Sequence, residues 1–411
     1  MDVFLGEWVN LLLRWFHMIV GIGWIGTSFY FMALDYSLDT KERKSKGVYG
    51  TAWEVHGGGF YHAQKYKLAP PQLPGTLHWF YWEAYSTLLS GLFLLGLLYY
   101  AQASIYLIDP RVMALSPPAA IAIGIGFLVG GWLVYDALCR TPLTRRPLLL
   151  AAVVAVLLSA AAWGLCHLFS GRGAFIQFGA MLGTIMVANV FFVIIPGQRR
   201  TVNALSEGRA PDPLDGQRGK LRSVHNTYFT LPVLFTMISN HYATTFGSRW
   251  NWLVLIALCA AGALIRAWFV ARHFAANRGG RTPPWTLLAG VLLLLGTAWA
   301  LHPKPAPDRG SASPVVATPS TATSATLSRH DRMRQILQTR CVACHAAKPT
   351  FPGFPAAPKG LILEDDSQIS AKLPLLTLQV ENRVMPIGNI TGMTDEERAE
   401  LLAWFKDGAP H

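Results

Sequence analysis

The sequence predicts an all-α protein in which a polytopic bundle of about eight transmembrane helices precedes a small α-helical domain. The 411 residues are 52% hydrophobic and only 14% charged, whereas about one quarter of the residues are charged in a soluble protein. Eight apolar segments meet or approach the length of about 20 residues that crosses a bilayer. After the last of them the composition changes abruptly to Pro, Ala, Ser and Thr, and an amphipathic pattern then begins again.

The predicted spans are residues 8–33, 77–100, 117–138, 148–169, 174–197, 226–246, 250–271 and 285–301. Eighteen lysines and arginines fall in the first, third, fifth and seventh connections between them, and three fall in the other connections. The positive-inside rule therefore predicts cytoplasmic odd-numbered connections, with both termini on the outer side. The net charge of +12 forms no single basic face, so the expected partner is the lipid bilayer and not nucleic acid.

Three regions are expected along the chain: an integral membrane domain at 1–301, a linker at 302–327 and a small domain at 328–411. The linker, HPKPAPDRGSASPVVATPSTATSATL, has no apolar periodicity and has the composition of a disordered tether. The small domain is expected to contain an amphipathic helix, a loop-rich middle and a closing helix. Thr394 and Glu397 form a capping-box pattern ahead of that last helix.

Cys341, Cys344 and His345 belong to the sequence CVACH, which is the attachment motif of c-type haem. Two residues between the cysteines let both sulfurs reach the haem edge from one helical turn, and the adjacent histidine supplies the proximal iron ligand. A small zinc site is the competing interpretation, but no second ligand pair follows at zinc spacing. The sequence therefore predicts a covalent haem c in a domain similar to class I cytochromes c. The other three cysteines stand singly in or near spans and are expected to pack as small apolar residues.

The second iron ligand is expected from a loop after the motif, and Met385 in VMPIGNITGMT is the candidate. A proline follows Met385 and makes the turn rigid, while the thioether is a soft ligand for iron. Met393 is the rival ligand, although it directly precedes the capping box. Ligation by His345 and Met385 raises the reduction potential, as suits an electron acceptor or relay. Haem c is attached outside the bacterial cytoplasm, which agrees with the side that the charges predict for this end of the chain.

Polar side chains inside spans are costly, so each is a candidate functional group. The first predicted span contains Arg14 and His17, and His167 and His241 are expected in the outer half of the bundle. Such histidines could ligate a second, non-covalent haem, for which His17 is the candidate. The alternative for each of them is an interhelical hydrogen bond. Five further residues are expected to be interhelical partners: Asp136, Gln177, Asn189, Asn240 and Arg266.

Five candidate catalytic residues collect near the cytoplasmic side of the predicted bundle: Glu54, His56, His62, Lys65 and His78. Tryptophan and tyrosine rings in the same stretches can stack on a planar molecule, while histidine and lysine can hold an anion and move protons. The three glycines of EVHGGGFYH allow a close backbone approach. An equally physical interpretation is an aromatic belt with snorkelling lysine at the headgroup level.

Several strings together resemble the membrane-bound bacterial urate oxidases, also called urate hydroxylases: WFHMIVGIGWIGTSFYFMALD, EVHGGGFYHAQKY, LHWFYWEAYSTLLSG, NVFFVIIPGQR, CVACH and MPIGNITGMTDEER. The resemblance covers essentially the whole chain, with both domains in the same order. It implies oxidation of urate to 5-hydroxyisourate with water as the source of the hydroxyl group. It also implies that electrons leave through the fused cytochrome c to a terminal respiratory oxidase or a soluble cytochrome, without hydrogen peroxide as a product.

The resemblance further implies a multi-pass protein of the bacterial inner membrane, with urate on the cytoplasmic side and the cytochrome domain in the periplasm. The family's haem residues carry over to Cys341, Cys344, His345 and Met385, but no catalytic residues carry over to the membrane domain. Two other functions stay open. One is a membrane electron-transfer module that connects a quinol or a dehydrogenase to the cytochrome, without small-molecule chemistry of its own. The weaker one is a transporter with a fused redox sensor, since the spans show no inverted repeat.

Overall fold

The computed structural model describes residues 3–41, 47–276, 280–302, 328–351 and 357–409. Helices account for most of this part of the chain, so the predicted all-α class is confirmed. The chain folds into two compact units, Met1–Tyr242 with Trp250–Thr297, and Ala243–Arg249 with Ala298–His411. The predicted tether at 302–327 lies outside the described residues, apart from His302.

The helices up to residue 302 are α1 (Val3–Ser37), α2 (Trp82–Leu95), α3 (Ala103–Tyr106), α4 (Pro117–Leu138), α5 (Pro147–Leu168), α6 (Gly171–Ala188), α7 (Ile195–Ser206), α8 (Pro213–Ile238), α9 (Ala243–Phe246), α10 (Asn251–Ala276) and α11 (Trp285–Ala300). Two strands, β1 (Val48–His56) and β2 (Gly59–Tyr66), form an antiparallel hairpin between α1 and α2. π-helical turns at Gly96–Tyr100 and Asn189–Ile194 follow α2 and α6, and 3₁₀ turns lie at Pro142–Arg145 and Ser239–His241.

Five described helices are long and apolar enough to cross a membrane: Trp8–Ser37, Pro117–Leu138, Pro147–Leu168, Gly171–Ser206 and Asn251–Arg272. They match five of the eight predicted spans. The other three differ for physical reasons. The helix at 82–100 changes to π-type hydrogen bonding at Gly96. Helix α8 begins at Pro213 and ends at Ile238, whereas the predicted span is 226–246, and polar residues of the first half of the helix extend into that span. Helix α11 has 16 residues, or about 24 Å, which is shorter than a hydrocarbon core of about 30 Å.

Helix α6 lies at the centre of the first unit, since 12 of its 18 residues are buried. It packs against α4, α5 and α8. Gln177 is fully buried in α6, but both ends of its amide are bonded: Nε2 donates to the carbonyl of Gly124 at 2.7 Å, and Oε1 accepts from the hydroxyl of Tyr100 at 3.3 Å. Asn240 likewise accepts from the hydroxyl of Tyr99 at 2.9 Å. The predicted interhelical roles of Gln177 and Asn240 are therefore confirmed.

Helices α6 and α8 approach each other closely at Gly179. A Cβ atom at this position would lie 2.0 Å from Oγ1 and 2.7 Å from Cβ of Thr236, a residue with no exposed surface. We expect Gly179→Ala to destabilise the protein by about 1–3 kcal/mol, because the two helices must separate. The matched control is Gly183→Ala in the same helix, where a Cβ meets nothing within 4 Å. Thermal unfolding of detergent-solubilised protein measures both, and equal midpoints for the two variants would contradict the packing argument.

The second unit contains α12 (Arg329–Leu337), α13 (Asp366–Ser370), α14 (Leu373–Glu381) and α15 (Asp395–Lys406), with a π-helical turn at Gln338–Val342 and 3₁₀ turns at Pro358–Gly360 and Ile387–Asn389. Its core is formed by buried side chains that include Ile336, Leu401 and Trp404. The predicted capping box is confirmed. The hydroxyl of Thr394 accepts from the amide of Glu397 at 3.1 Å, and the Glu397 carboxylate accepts from the amide of Thr394 at 3.0 Å.

Candidate functional site

The stretch that contains most of the candidate catalytic residues is a β-hairpin and not the loop expected from the sequence. Gly57 and Gly58 have φ angles of +58° and +80° and form its two-residue turn, a geometry that glycine adopts without strain. These glycines therefore serve the turn of the hairpin, and the close backbone approach expected of them stays a prediction. A Gly-Gly pair between two stretches rich in aromatic and β-branched residues is the signal that could have predicted the hairpin.

The hairpin separates the candidates onto two faces, because successive side chains of a strand point to opposite sides. Trp53 pairs with His62, and their rings stack at 4.3 Å between centroids with an angle of 19°. Glu54 and His56 belong to the opposite face, together with Lys65, which pairs with Gly50. The structure therefore brings Glu54, His56 and Lys65 to one face and leaves His62 on the other.

The face of Glu54 meets α1 and α8 through charged groups. The hydroxyl of Tyr30 donates to Oε2 of Glu54 at 2.5 Å, and Nζ of Lys65 donates to Oδ1 of Asp35 at 2.5 Å. Lys220 of α8 donates to the other oxygen of the same Asp35 carboxylate. We call these five residues the hairpin cluster. Two ammonium groups share the Asp35 carboxylate, while the second carboxylate of the cluster, Glu54, accepts from Tyr30, so the cluster contains two cationic and two anionic groups.

His78 lies outside the hairpin, in the segment before α2. Its ring contacts Phe80 edge-on at 4.6 Å, and Phe80 in turn contacts Phe31 of α1 at 5.0 Å. Both His56 and His78 are exposed. Within the described ranges, no group of three or more His, Cys, Asp or Glu residues is arranged to hold a metal ion. Exposed imidazoles can exchange protons with a bound molecule, so His56 and His78 stay candidates for proton transfer or substrate contact.

Aromatic residues at the start of α2 pack mainly on one another. The rings of Tyr81 and Tyr85 are 5.2 Å apart, and Tyr85 lies 5.3 Å from Phe191 in the π-helical turn after α6. The guanidinium of Arg199 lies 6.0 Å from the centre of the Tyr81 ring. These contacts explain Tyr81 and Tyr85 as packing residues. Trp82 is exposed, and it keeps its predicted role as a stacking surface.

A buried polar network joins α4, the π-helical turn after α6, and α8. Arg222 is only 3% exposed, and it donates to Asp136 of α4 at 2.6 Å and to Asn189 at 3.2 Å. Nearby, the hydroxyl of Tyr135 and Nδ1 of His225 are 2.7 Å apart. The predicted interhelical roles of Asp136 and Asn189 are confirmed. Arg222, which the predicted spans place in a cytoplasmic connection, is instead buried within α8.

His17 of α1 lies against α2. Its Nδ1 is 2.9 Å from the hydroxyl of Ser90, and a Cβ on Gly91 would be 3.1 Å from Cε1 of the ring. This geometry favours the interhelical hydrogen bond over the haem ligand, which stays a prediction. His167 is engaged within its own helix, where Nδ1 lies 2.7 Å from the carbonyl of Trp163.

The CVACH motif occupies one turn at the end of the π-helical segment. The amides of Cys344 and His345 donate to the carbonyl of Cys341 at 3.2 and 3.0 Å, so both thiols belong to a single turn. Nδ1 of His345 donates to the carbonyl of Leu361 at 2.9 Å, because a carbonyl can only accept. The other ring nitrogen, Nε2, is thereby left as the ligand atom, as in metal-binding histidines oriented by a carbonyl. Burial lowers the pKa of His345, which keeps the imidazole in the neutral form that binds metals.

The two methionines occupy different environments. Met393 is 3% exposed and belongs to the hydrophobic core of the second unit. Met385 is half-buried in the loop after α14, and its carbonyl accepts from the guanidinium of Arg398 at 2.8 Å. Core packing accounts for Met393, which favours Met385 as the second ligand. Two thiols on one turn, an oriented imidazole and a loop thioether fit a covalent haem c.

The model of the urate oxidase N-terminal family matches residues 3–302. The chain belongs to this family. Membership supports urate-related oxidation as the chemistry of this oxidoreductase, and its apolar helices permit a place in the lipid bilayer. Comparisons with curated proteins and with solved structures give no match.

Within the urate oxidase N-terminal region, the hairpin cluster contains two of the five candidate catalytic residues, Glu54 and Lys65. It also contains three residues that were not among the sequence-based candidates, Tyr30, Asp35 and Lys220. Lys220 is 185 positions from Asp35 along the chain, so no local spacing predicts the contact. Asp35 is an acidic residue at the end of the apolar helix α1, which is a signal that could have been used.

Proposed function

We propose that the chain oxidises urate to 5-hydroxyisourate at the bacterial inner membrane and passes the electrons to a haem c on its own C-terminal domain. The proposal rests on two features that occur in the same chain, a family match and a haem-attachment motif. The urate oxidase N-terminal family matches residues 3–302, and the same chain continues into a CVACH motif whose histidine is oriented by the carbonyl of Leu361.

The reaction balances as urate plus water giving 5-hydroxyisourate, two protons and two electrons. The hydroxyl oxygen comes from water, so dioxygen is not required at the substrate and hydrogen peroxide is not formed. A terminal respiratory oxidase or a soluble cytochrome is the proposed final acceptor. In the proposed topology, urate enters from the cytoplasm, while both termini and the cytochrome domain are periplasmic.

The hairpin cluster is the proposed entry site for urate. The side chains of Lys65 and Lys220 are 44% and 42% exposed, and each ammonium has three donors, so both can contact an anion in addition to Asp35. Glu54 and His56 share the face of Lys65, and each can accept a proton as urate is oxidised. His78 is assigned to the rim of this site, where the Phe80 ring contacts it, whereas His62 stacks on Trp53 on the opposite face of the hairpin and stays a candidate from the sequence alone.

Haem c, held by Cys341, Cys344, His345 and Met385, would supply a one-electron acceptor of high potential. The chain contributes the orientation of the ligands. The Leu361 carbonyl fixes the imidazole plane, and Arg398 holds the main chain at Met385. A second, non-covalent haem near His17 stays part of the proposal as a store for the second electron, although Ser90 engages the His17 ring.

Urate is expected to reduce the haem of the purified full-length protein under anaerobic conditions. The measurement is the haem absorption spectrum after addition of urate, with xanthine at equal concentration as the control purine and dithionite as the full reduction standard. Two haems should be reduced per urate consumed, without hydrogen peroxide. If urate leaves the haem oxidised while dithionite reduces it, the electron-transfer module without small-molecule chemistry is the correct function.

A further inference from the structure

Arg266 is a charged residue inside α10, in the segment Asn251–Arg272 that is apolar enough to cross a membrane. Within the part of the chain that the structure describes, no carboxylate forms an ion pair with it, and its buried Nε atom has no hydrogen-bond partner. The Cζ atom lies 3.6 Å from the centre of the Phe29 ring of α1. A charge in an apolar span is costly, so this side chain needs an explanation.

Arg266 faces the junction of three helices. It lies one turn along α10 from Gly262, where a Cβ would be 3.1 Å from Cβ of Leu231 in α8. On α8, Tyr228 lies one turn before Leu231 and is close enough to interact electrostatically with Arg266. The guanidinium therefore has Phe29 of α1 on one side and Tyr228 of α8 on another, and both neighbours are aromatic.

This junction continues into the hairpin cluster. Phe29 and Asp35 are six residues apart in α1, or about 9 Å along the helix axis. Tyr36 connects the two places, since it interacts with Tyr228 and its ring centre lies 5.2 Å from Nζ of Lys220. Lys65, Lys220 and Arg266 thus provide three cations on one side of the bundle, and Asp35 is the carboxylate that pairs with two of them.

The contact with Phe29 of α1 confirms the interhelical role predicted for Arg266, but it leaves Nε without a hydrogen-bond acceptor. An interhelical salt bridge needs an acidic partner, and the described residues offer none. A snorkelling arginine extends its guanidinium to the headgroup level, but Nε of Arg266 is buried against neighbouring helices. The Phe29 and Tyr228 rings compensate part of the charge, and a bound anion would supply the hydrogen-bond acceptor that Nε lacks.

We propose that Arg266 binds the anionic edge of urate at the inner end of the hairpin cluster. Urate is planar and presents adjacent oxygen and nitrogen acceptors, which match the fork of a guanidinium. Phe29 fixes the plane of that fork by stacking on it, while Lys65 and Lys220 attract the anion towards it. The inference rests on the proposed function and names a specificity residue for it.

Arg266→Met removes the charge and keeps an apolar side chain of similar length. We expect the dissociation constant of urate, measured by equilibrium dialysis with the full-length haem protein, to rise about 10- to 100-fold. KM for urate-dependent haem reduction should rise in parallel, with a smaller change in kcat. Because an uncompensated charge leaves the apolar span, the thermal midpoint should rise or stay the same, whereas a purely structural arginine would lose stability.

Arg272→Gln is the matched control. Arg272 stands on the same helix and its guanidinium lies 5.5 Å from the centre of the Trp268 ring, but the side chain is exposed. The urate affinity of this variant should therefore change less than about twofold. Arg266→Lys keeps the charge without the fork and should recover part of the affinity. If Arg266→Met folds poorly, the comparison of Arg266→Lys with Arg272→Lys gives the same test.

Unchanged urate affinity in Arg266→Met would overturn the inference. Loss of co-purifying anionic phospholipid from Arg266→Met, without a change in urate affinity, would also overturn it, because the arginine would then bind a lipid headgroup. These results are distinct from a failure of the proposed function. In that case the unaltered protein itself would not transfer electrons from urate to haem, whatever residue stands at position 266.

Discussion

Replacing Cys341 and Cys344 by alanine is expected to yield a protein without covalent haem and without urate-dependent electron transfer. Both thiols lie on one helical turn and no other pair of cysteines in the sequence has this spacing, so no substitute attachment is available. Haem staining after denaturing electrophoresis and a pyridine haemochrome assay measure the result, with one covalent haem per chain in the unaltered protein. Cys259→Ala is the control, because that cysteine lies alone within α10. Covalent haem in the double variant would contradict the assignment.

The reduction potential of the haem separates the two methionines. Met385→Ala should retain covalent haem but lower its reduction potential, because a thioether ligand favours the reduced iron. Met393→Leu removes a buried side chain of the core and keeps its volume, so the potential should stay the same. Potentiometric titration measures both variants. A lowered potential in Met393→Leu alone would assign the ligand to Met393. A non-covalent haem found in addition to the covalent haem would support the second centre at His17.

Asp136→Leu is expected to cost about 3–5 kcal/mol of stability, because it leaves the buried guanidinium of Arg222 without its carboxylate. The double variant Asp136→Leu with Arg222→Met should recover most of that loss, since a well-packed apolar pair can replace a buried ion pair. Thermal unfolding in detergent, followed by size-exclusion chromatography of the remaining protein, measures each midpoint.

Arg140→Gln provides the control for this pair. Arg140 also contacts Asp136, at 2.6 Å, but its side chain is 70% exposed, so its removal should cost less than about 1 kcal/mol. Equal losses for Arg140→Gln and Asp136→Leu would contradict the assignment of the stabilising contact to Arg222. A double variant as unstable as Asp136→Leu would instead indicate that Arg222 has further essential partners, such as Asn189.

Local patterns predicted the features that depend on neighbours in the chain. The apolar segments at 117–138 and 148–169 agree with α4 and α5 within one residue, because proline begins each helix and length alone defines a span. The capping box at Thr394 and the single turn at CVACH depend only on nearby residues, and their sequence patterns identified both. Asp212 before Pro213 is also a helix-start signal, and it would have given the early beginning of α8 that buries Arg222.

Features that depend on distant contacts were beyond such patterns. Asp35 joins Lys65 and Lys220, which come from different elements, and the sequence contains no spacing that connects them. The opposite faces of His56 and His62 follow from strand alternation, so they could be derived only after the hairpin was recognised. The three predicted spans that are short or polar show the same limit, because neighbouring helices and not length determine how polar residues are buried.

The hydrogen bond that orients His345 has its acceptor in the main chain, at the carbonyl of Leu361. No change of side chain at position 361 can delete this acceptor, so other apolar residues that keep the packing of Leu361 against the core can replace it. The histidine itself has no such freedom. Mutational tolerance at the haem site should therefore be asymmetric: a saturation library is expected to accept several apolar residues at 361 and to reject nearly every replacement at 345.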